Sequence, residues 1–275
     1  GRNSLWMIPM AKIGFIGMGN MGTAIMRGLL KTYKPEELLF TSAHEAKMQK
    51  ITEETGVAHV STATDCAEQV KYLVLAVKPQ VLPTVFNELN GKIRKDQVVI
   101  SIAAGYAIAD LQAGLGDSAR IVRSMPNTPA MVGEGMSGVS YDEALFTDEE
   151  KDVIDGFFTS FGKMEKVDEK LMDVVGSASG CSPAYVYMFI EALADGCVKN
   201  GLPRQAAYKM VAQAVLGSAK MVLETGKHPG ELKDMVCSPG GTTIEGLAAL
   251  EENGFRGAII KACDANFEKN KKLKG

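Results

Sequence analysis

The stretch Lys12-Ile13-Gly14-Phe15-Ile16-Gly17-Met18-Gly19-Asn20-Met21-Gly22 decides how the chain is read. Lys12 to Ile16 is a short, largely apolar run of the kind that forms a buried strand, and helical spacing begins at Met21. Between them Gly17, Gly19 and Gly22 stand in GxGxxG spacing. Gly17 permits a tight turn, Gly19 lets backbone approach a pyrophosphate, and Gly22 allows the helix to lie close on the strand. The helix N-terminus adds amide donors and a positive dipole end. A purely structural glycine turn has the same spacing, but strand and helix in the right order predict dinucleotide binding by Gly17, Met18, Gly19, Asn20, Met21 and Gly22.

Outward from this motif, short β-rich runs alternate with helical patterns from Met10 to about Val167, the signature of a doubly wound, mostly parallel sheet. Strands are predicted at 12–16, 38–41, 71–77, 97–102, 120–124, 137–141 and 163–166, with a weaker piece at 57–60. Helices are predicted at 21–33, 44–55, 80–89 and 148–161, the last opened by Thr147 with Glu150 at capping-box spacing. Ligands of such sheets bind outside the carboxyl ends of the strands. The second strand ends in Thr41, Ser42, Ala43 and His44 without a carboxylate. A 2′-phosphate would meet hydroxyls there, with Lys47 near, so NADPH is favoured over NADH. Glu45 could still serve NADH, and Ser42 could equally cap the next helix. Ala76, Val77, Lys78, Pro79 and Gln80 end the fourth strand and should flank the nicotinamide ribose and ring. Ser101 to Gly105 and Met125 to Ala130 end the next two.

After about Asp168 the β-rich runs stop and helical patterns take over, so residues 10–167 are expected to form the dinucleotide-binding domain and 168–275 a helical one. Residues Gly1 to Pro9 read as an expression remnant, with Met10 as the natural start. Arg204 to Glu224 carries one apolar stripe, with Pro203 placed for its first turn. In Ser182 to Asn200 the polar row is narrow, Glu191, Asp195 and Lys199, while Tyr185, Val186, Met188, Phe189, Ile190, Leu193 and Val198 cover most of the rest. A helix so apolar must be buried nearly all round, which a small helical domain cannot do alone, so an intertwined dimer or larger oligomer is expected.

Composition narrows the partners. Apolar residues make up 46% and charged residues 23% of 275 residues, with a net charge of −3, proportions of a globular chain with no field to recruit nucleic acid or an anionic membrane. No apolar run reaches membrane-span length and no secretory leader is evident, so a cytoplasmic location is expected. Cys66, Cys181, Cys197, Cys237 and Cys263 are scattered and lack a CxxC pair, which indicates neither disulfide framework nor zinc cage. His44, His59 and His228 lie too far apart to suggest a metal site, and no metal is expected.

The helical half carries a second motif, Ser238-Pro239-Gly240-Gly241-Thr242-Thr243, directly before an amphipathic helix. Two glycines followed by hydroxyls at a helix start form a nest of backbone amides suited to a carboxylate, although an ordinary flexible cap is an equal reading of the residues alone. This run, together with GxGxxG, AVKPQ at 76–80, SIAAG at 101–105, MPNTPA at 125–130, Ser179 to Tyr185 and Gly201-Leu202-Pro203, resembles the pyrroline-5-carboxylate reductase family in content and order from Met10 to about Lys269. The resemblance implies a Rossmann domain, an all-α C-terminal dimerisation domain, and an active site between them that borrows residues across a homodimer or a larger ring of dimers. It also implies NAD(P)H-dependent reduction of the cyclic imino acid 1-pyrroline-5-carboxylate to L-proline, the final step of proline biosynthesis. By the same resemblance the substrate carboxylate is held by amides around Gly241 and Thr242 with Gly240 and Ser238 alongside, and Thr243 sets its hydroxyl near the ring nitrogen. Lys78 and Pro79 match the cofactor-side loop, and Ala103 and Asn127 match positions near the nicotinamide. Some relatives carry Asn where this chain has Ala63 and a polar residue where it has Met235.

A protonated pyrrolinium is already electrophilic, so the protein chiefly has to align the reactants and exclude water. The absence of a histidine in either motif agrees with that chemistry. The rival reading, a β-hydroxyacid dehydrogenase, needs a lysine base on the first long helix of the second domain, where this chain has none before Lys199. A non-enzymatic dinucleotide sensor would have no use for the SPGGTT nest.

Overall fold

The computed structural model describes residues 11–274, so the remnant reading of Gly1 to Pro9 falls outside the described residues. These form two compact units, residues 11–180 with the chain end from 270, and Cys181–Lys269.

The first unit is built on eight strands: β1 (Ala11–Ile16), β2 (Leu38–Thr41), β3 (Ala58–His59), β4 (Val70–Leu75), β5 (Val98–Ser101), β6 (Arg120–Met125), β7 (Gly135–Ser140) and β8 (Gly162–Lys166). Their order in the sheet is β3-β2-β1-β4-β5-β6-β7-β8. Pairing is parallel from β3 across to β6; β7 meets β6 antiparallel and carries β8 parallel to itself. Its helices are α1 (Asn20–Leu29), α2 (Glu45–Thr55), α3 (Ala63–Glu68), α4 (Leu82–Leu89), α5 (Ile108–Leu115), α6 (Asp148–Thr159) and the single turn α7 (Met172–Val175). Strands buried on both faces read as unbroken apolar runs. One face of the sheet therefore carries Ile13, Phe15, Val74 and Ile100 under Ile25, Leu29 and Phe157, and the other Leu73, Leu75 and Val99 under Leu82, Leu111 and Leu115.

An ion cluster fixes β4, β6 and α6 to one another. Glu150, 3% exposed, takes two hydrogen bonds from the Arg120 guanidinium at 2.6 and 2.7 Å and lies 3.2 Å from Lys71 Nζ. It is also the third residue of the predicted capping box, accepting from the Thr147 amide at 2.9 Å while Thr147 Oγ1 accepts from the Glu150 amide at 3.1 Å. The Arg120 hydrogen bonds, helped by the Thr147 amide and Lys71, outweigh burial and hold the Glu150 carboxyl at about 2.

The second unit is helical: α8 (Ser182–Lys199), α9 (Arg204–Thr225), α10 (Pro229–Val236), α11 (Thr242–Glu252) and most of α12 (Phe255–Lys274). Pro203 stands at the N-cap of α9, one place before the first turn that its sequence position suggested. The only buried apolar cluster of the unit among the described residues is Ala194, Ala207 and Val211. In the single chain Tyr187 is 60%, Met188 71% and Leu223 67% exposed.

Candidate active site

The first half of the site is the turn between β1 and α1. Gly17 has φ +95°, and a Cβ there would lie 2.7 Å from the Ala76 carbonyl oxygen and 2.8 Å from Val77 Cγ1, so the turn at β1 and the end of β4 touch only because this residue is glycine. Met18 and Gly22 are buried beneath the turn. Gly19 is the N-cap of α1; a Cβ on it would meet nothing within 4 Å, no side chain caps the helix, and its first turn holds no acid. Open space in front of uncapped, outward-facing amides fits an anion, as the pyrophosphate of a dinucleotide requires.

Strand ends are stitched side by side around this turn. The Gly17 amide donates to Thr41 O at 2.9 Å, the Ala76 amide to Ile16 O at 2.8 Å, and the Ile102 amide to Leu75 O at 3.1 Å. Ser124 Oγ donates to Ser101 O at 2.7 Å, and Ser101 Oγ accepts from the Ala103 amide at 3.3 Å. Lys78 is exposed at the head of a 3-10 turn opened by Pro79, whose carbonyl accepts from the Tyr106 hydroxyl at 3.2 Å. Ala103 is buried. Asn127 is buried too, with its amide engaged at both ends: Oδ1 accepts from the Met136 amide at 2.8 Å, and Nδ2 donates to Ser179 O at 3.1 Å. Sequence reasoning did not single out Tyr106 or the Ser179 carbonyl as partners of these loops, because no local pattern links residues so far apart.

At the tip of β2, Ser42 does not cap α2; His44 occupies that position, and the Ser42 amide donates to Met48 Sδ at 3.2 Å. Glu45 lies 3.3 Å from His59 Nε2, while His59 Nδ1 shares a hydrogen bond with Thr52 Oγ1 at 2.7 Å. Lys47 and Asn20, both predicted toward the cofactor, line one cleft of about 390 Å³ between α1 and α2, together with Thr23, Lys50 and the paired Arg27 and Glu54.

The second half lies in the second unit. Ser238 to Gly241 forms a turn leading into α11, in which Ser238 O accepts from the Gly241 amide at 3.1 Å and Gly240 takes φ +70°, and Thr242 and Thr243 open the helix, exposed. Gly241 is the N-cap of α11 and no side chain caps that helix, so the amides at its start, like those of α1, point outward unpaired. α8 contains no lysine before Lys199, its last residue. None of the five cysteines is in a disulfide, and burial pushes Cys66 up to about 12, which makes it a packing group.

The sheet order, the open glycine turn and the stitched strand ends define a dinucleotide-binding fold of the Rossmann class, followed by a helical unit. Residues 12–105 match the family model described as NADP oxidoreductase, coenzyme F420-dependent, and residues 169–273 match pyrroline-5-carboxylate reductase dimerisation. The chain is 47% identical over 264 residues to the pyrroline-5-carboxylate reductase of Escherichia coli (strain K12), covering 95% of this chain and 98% of that one. A solved pyrroline-5-carboxylate reductase from Coxiella burnetii superposes with a TM-score of 0.90 at 33% identity, covering 97% and 99% of the two chains. The Plasmodium falciparum pyrroline carboxylate reductase, solved with NADP bound, gives 0.84 at 34% identity, covering 98% and 100%. The chain belongs to the pyrroline-5-carboxylate reductase family.

Proposed function

We propose that this chain reduces 1-pyrroline-5-carboxylate to L-proline with NAD(P)H, NADPH preferred. The observation that carries the reading is the pair of uncapped helix starts, one behind Gly19 and one behind Gly241, in a chain 47% identical to a reductase of that name over nearly its whole length. The first suits the cofactor pyrophosphate, held by the backbone of Gly17 to Gly22; the second suits the substrate carboxylate, held by Gly240, Gly241 and Thr242 with Ser238 alongside. Ala76 to Pro79 and Ala103 flank the nicotinamide side. Ser42 and Lys47 face the 2′-phosphate, a reading supported by the engagement of Glu45, the nearest carboxylate, with His59.

A nicotinamide dinucleotide held by the first unit would supply the hydride for the imine carbon and the two electrons of the reduction. The chain's own task is orientation: the nest fixes the carboxylate, and the Thr243 hydroxyl hydrogen-bonds at the ring nitrogen, which enters already protonated and needs no acid from the protein. In the net change one imine C=N becomes the C–N bond of proline, and the nitrogen keeps its proton as the amine. Self-association through the second unit as a homodimer, or a ring of dimers, completes the reading, and sedimentation velocity separates the two.

The test is to mix the protein with pyrroline-5-carboxylate and NADPH, follow the loss of reduced-cofactor absorbance, identify proline by mass spectrometry, and repeat with NADH. Absence of proline with both cofactors sinks the proposal; equal kcat/KM for the two removes the cofactor preference alone.

A further inference from the structure

Between β8 and α8 the chain leaves the first unit through residues 168–180, and both ends of this segment are held by side chains of β6 or the loop after it. At the near end Arg123, buried in β6, reaches Glu169 Oε2 at 3.3 Å, and the same oxygen accepts from the Ile108 amide at the start of α5 at 2.7 Å. At the far end stands Asn127, 8% exposed. A primary amide presents an acceptor oxygen and two N–H donors in one plane. Asn127 gives its oxygen to Met136 in β7 and one of its two N–H groups to Ser179 O, within a π-helical turn at Gly176–Gly180. Such turns are rare and recur at functional sites. The contact beside it is equally close: a Cβ on Gly180 would lie 2.7 Å from Met125 Sδ, so the turn lies against the end of β6. The next residue, Cys181, opens the second unit at the N-cap of α8.

We infer that Asn127 is a positioning residue of the reductase and not a ligand of the cofactor. It locks the loop after β6, one of the strand ends around the dinucleotide turn, to the turn from which α8 departs. This rests on the reading above, in which the cofactor is held by the first unit and the substrate carboxylate by the second. Hydride transfer is steeply sensitive to the placing of its two reactants, whereas dinucleotide affinity depends on the first unit alone. Loosening the strand-end loop that Asn127 holds therefore slows the transfer and leaves cofactor affinity intact.

Asn127→Asp tests it by keeping the acceptor for Met136 while setting a carboxylate oxygen against the Ser179 carbonyl. The expected result is a single-turnover rate constant for NADPH oxidation, measured with enzyme in excess, that falls about tenfold or more, with the Kd for NADPH from fluorescence titration within about twofold of the unsubstituted protein. A single-turnover constant does not depend on how much of the enzyme is folded, so a purely structural role leaves it unchanged and overturns the inference. A Kd that weakens in step with the rate overturns it as well, and makes Asn127 a cofactor ligand. If the buried carboxylate prevents folding, Asn127→Ala removes both bonds without a charge and must give the same split; an unaltered rate constant in that variant is equally fatal. Failure of the functional proposal is seen separately, as absence of proline formation by the unsubstituted protein.

Discussion

The two units bury their apolar residues to very different extents. The first closes a sheet between two helical layers and hides Phe15, Phe40, Phe157, Phe158 and Phe161 completely or nearly so, whereas the second, comparably rich in large apolar residues, buries only Ala194, Ala207 and Val211. A unit with its own core can fold alone; one whose Met188, Leu216 and Leu223 face outward must find a surface to cover them. The match of residues 169–273 to a dimerisation model supplies the partner, a second copy. The contrast locates stability in the first unit and assembly in the second.

The strongest way to break this contrast is to charge the second unit. Met188→Glu combined with Leu216→Glu is expected to weaken self-association by about a thousandfold or more, because charges buried in an interface cost several kcal/mol each. Sedimentation velocity at matched concentrations measures it, while the first unit keeps its NADPH affinity. Next in size is a change inside the first core. Glu150→Ala strands the Arg120 guanidinium and should cost about 3–5 kcal/mol in urea unfolding at pH 7. The same group sets a pH window. Its carboxyl titrates at about 2 when folded against 4.5 in the free side chain, so its stabilisation is complete above pH 4.5 and is lost as pH falls towards 2. The unfolding free energy of the unsubstituted protein should therefore drop over that interval, and that of Glu150→Ala should drop less.

Two glycines of one motif sharpen the difference between folding and binding. Gly17→Ala forces a side chain onto φ +95° and against the Ala76 carbonyl, at an expected cost of about 2 kcal/mol in stability as well as loss of cofactor binding. Gly19→Ala enters open space, so its melting temperature should hold while NADPH affinity falls about tenfold. Thr243→Ala, at an exposed position in the first turn of α11, should lower kcat about tenfold with an unchanged circular dichroism spectrum; unchanged steady-state kinetics would end its orienting role. Smallest is Lys47→Ala, expected to reduce kcat/KM about fivefold with NADPH and leave it alone with NADH.

What could be read beforehand follows the range of the interactions. β-rich runs placed a strand at each of the eight positions, the weaker one at 57–60 reduced to two residues, and β2 begins and ends where expected, since a buried strand such as it advertises itself by composition. The Thr147 and Glu150 capping box was legible because it is local. The antiparallel turn into β7 was not, because side-chain alternation carries no strand direction. The partners of Glu150 on β4 and β6 were hidden for a related reason, as were the Ser179 carbonyl behind Asn127 and the Glu169 carboxylate at the start of α5. Each joins residues far apart in the chain, and only the fold brings them together. Ser42, a plausible cap from its position, yields that place to His44 because α2 starts later than the hydroxyl could serve.

The sheet order also bears on how the chain is made. β1 lies between β2 and β4, and Ile13 pairs with Leu38 on one side and Tyr72 on the other. During synthesis the first side is filled early, but the other edge of β1, including Phe15 and Ile16, waits until β4 has left the ribosome. An unpaired apolar edge is an aggregation template. The nascent chain is most vulnerable in that interval, and slowing translation just before Val70 should lower soluble yield more than the same pause placed after Leu75.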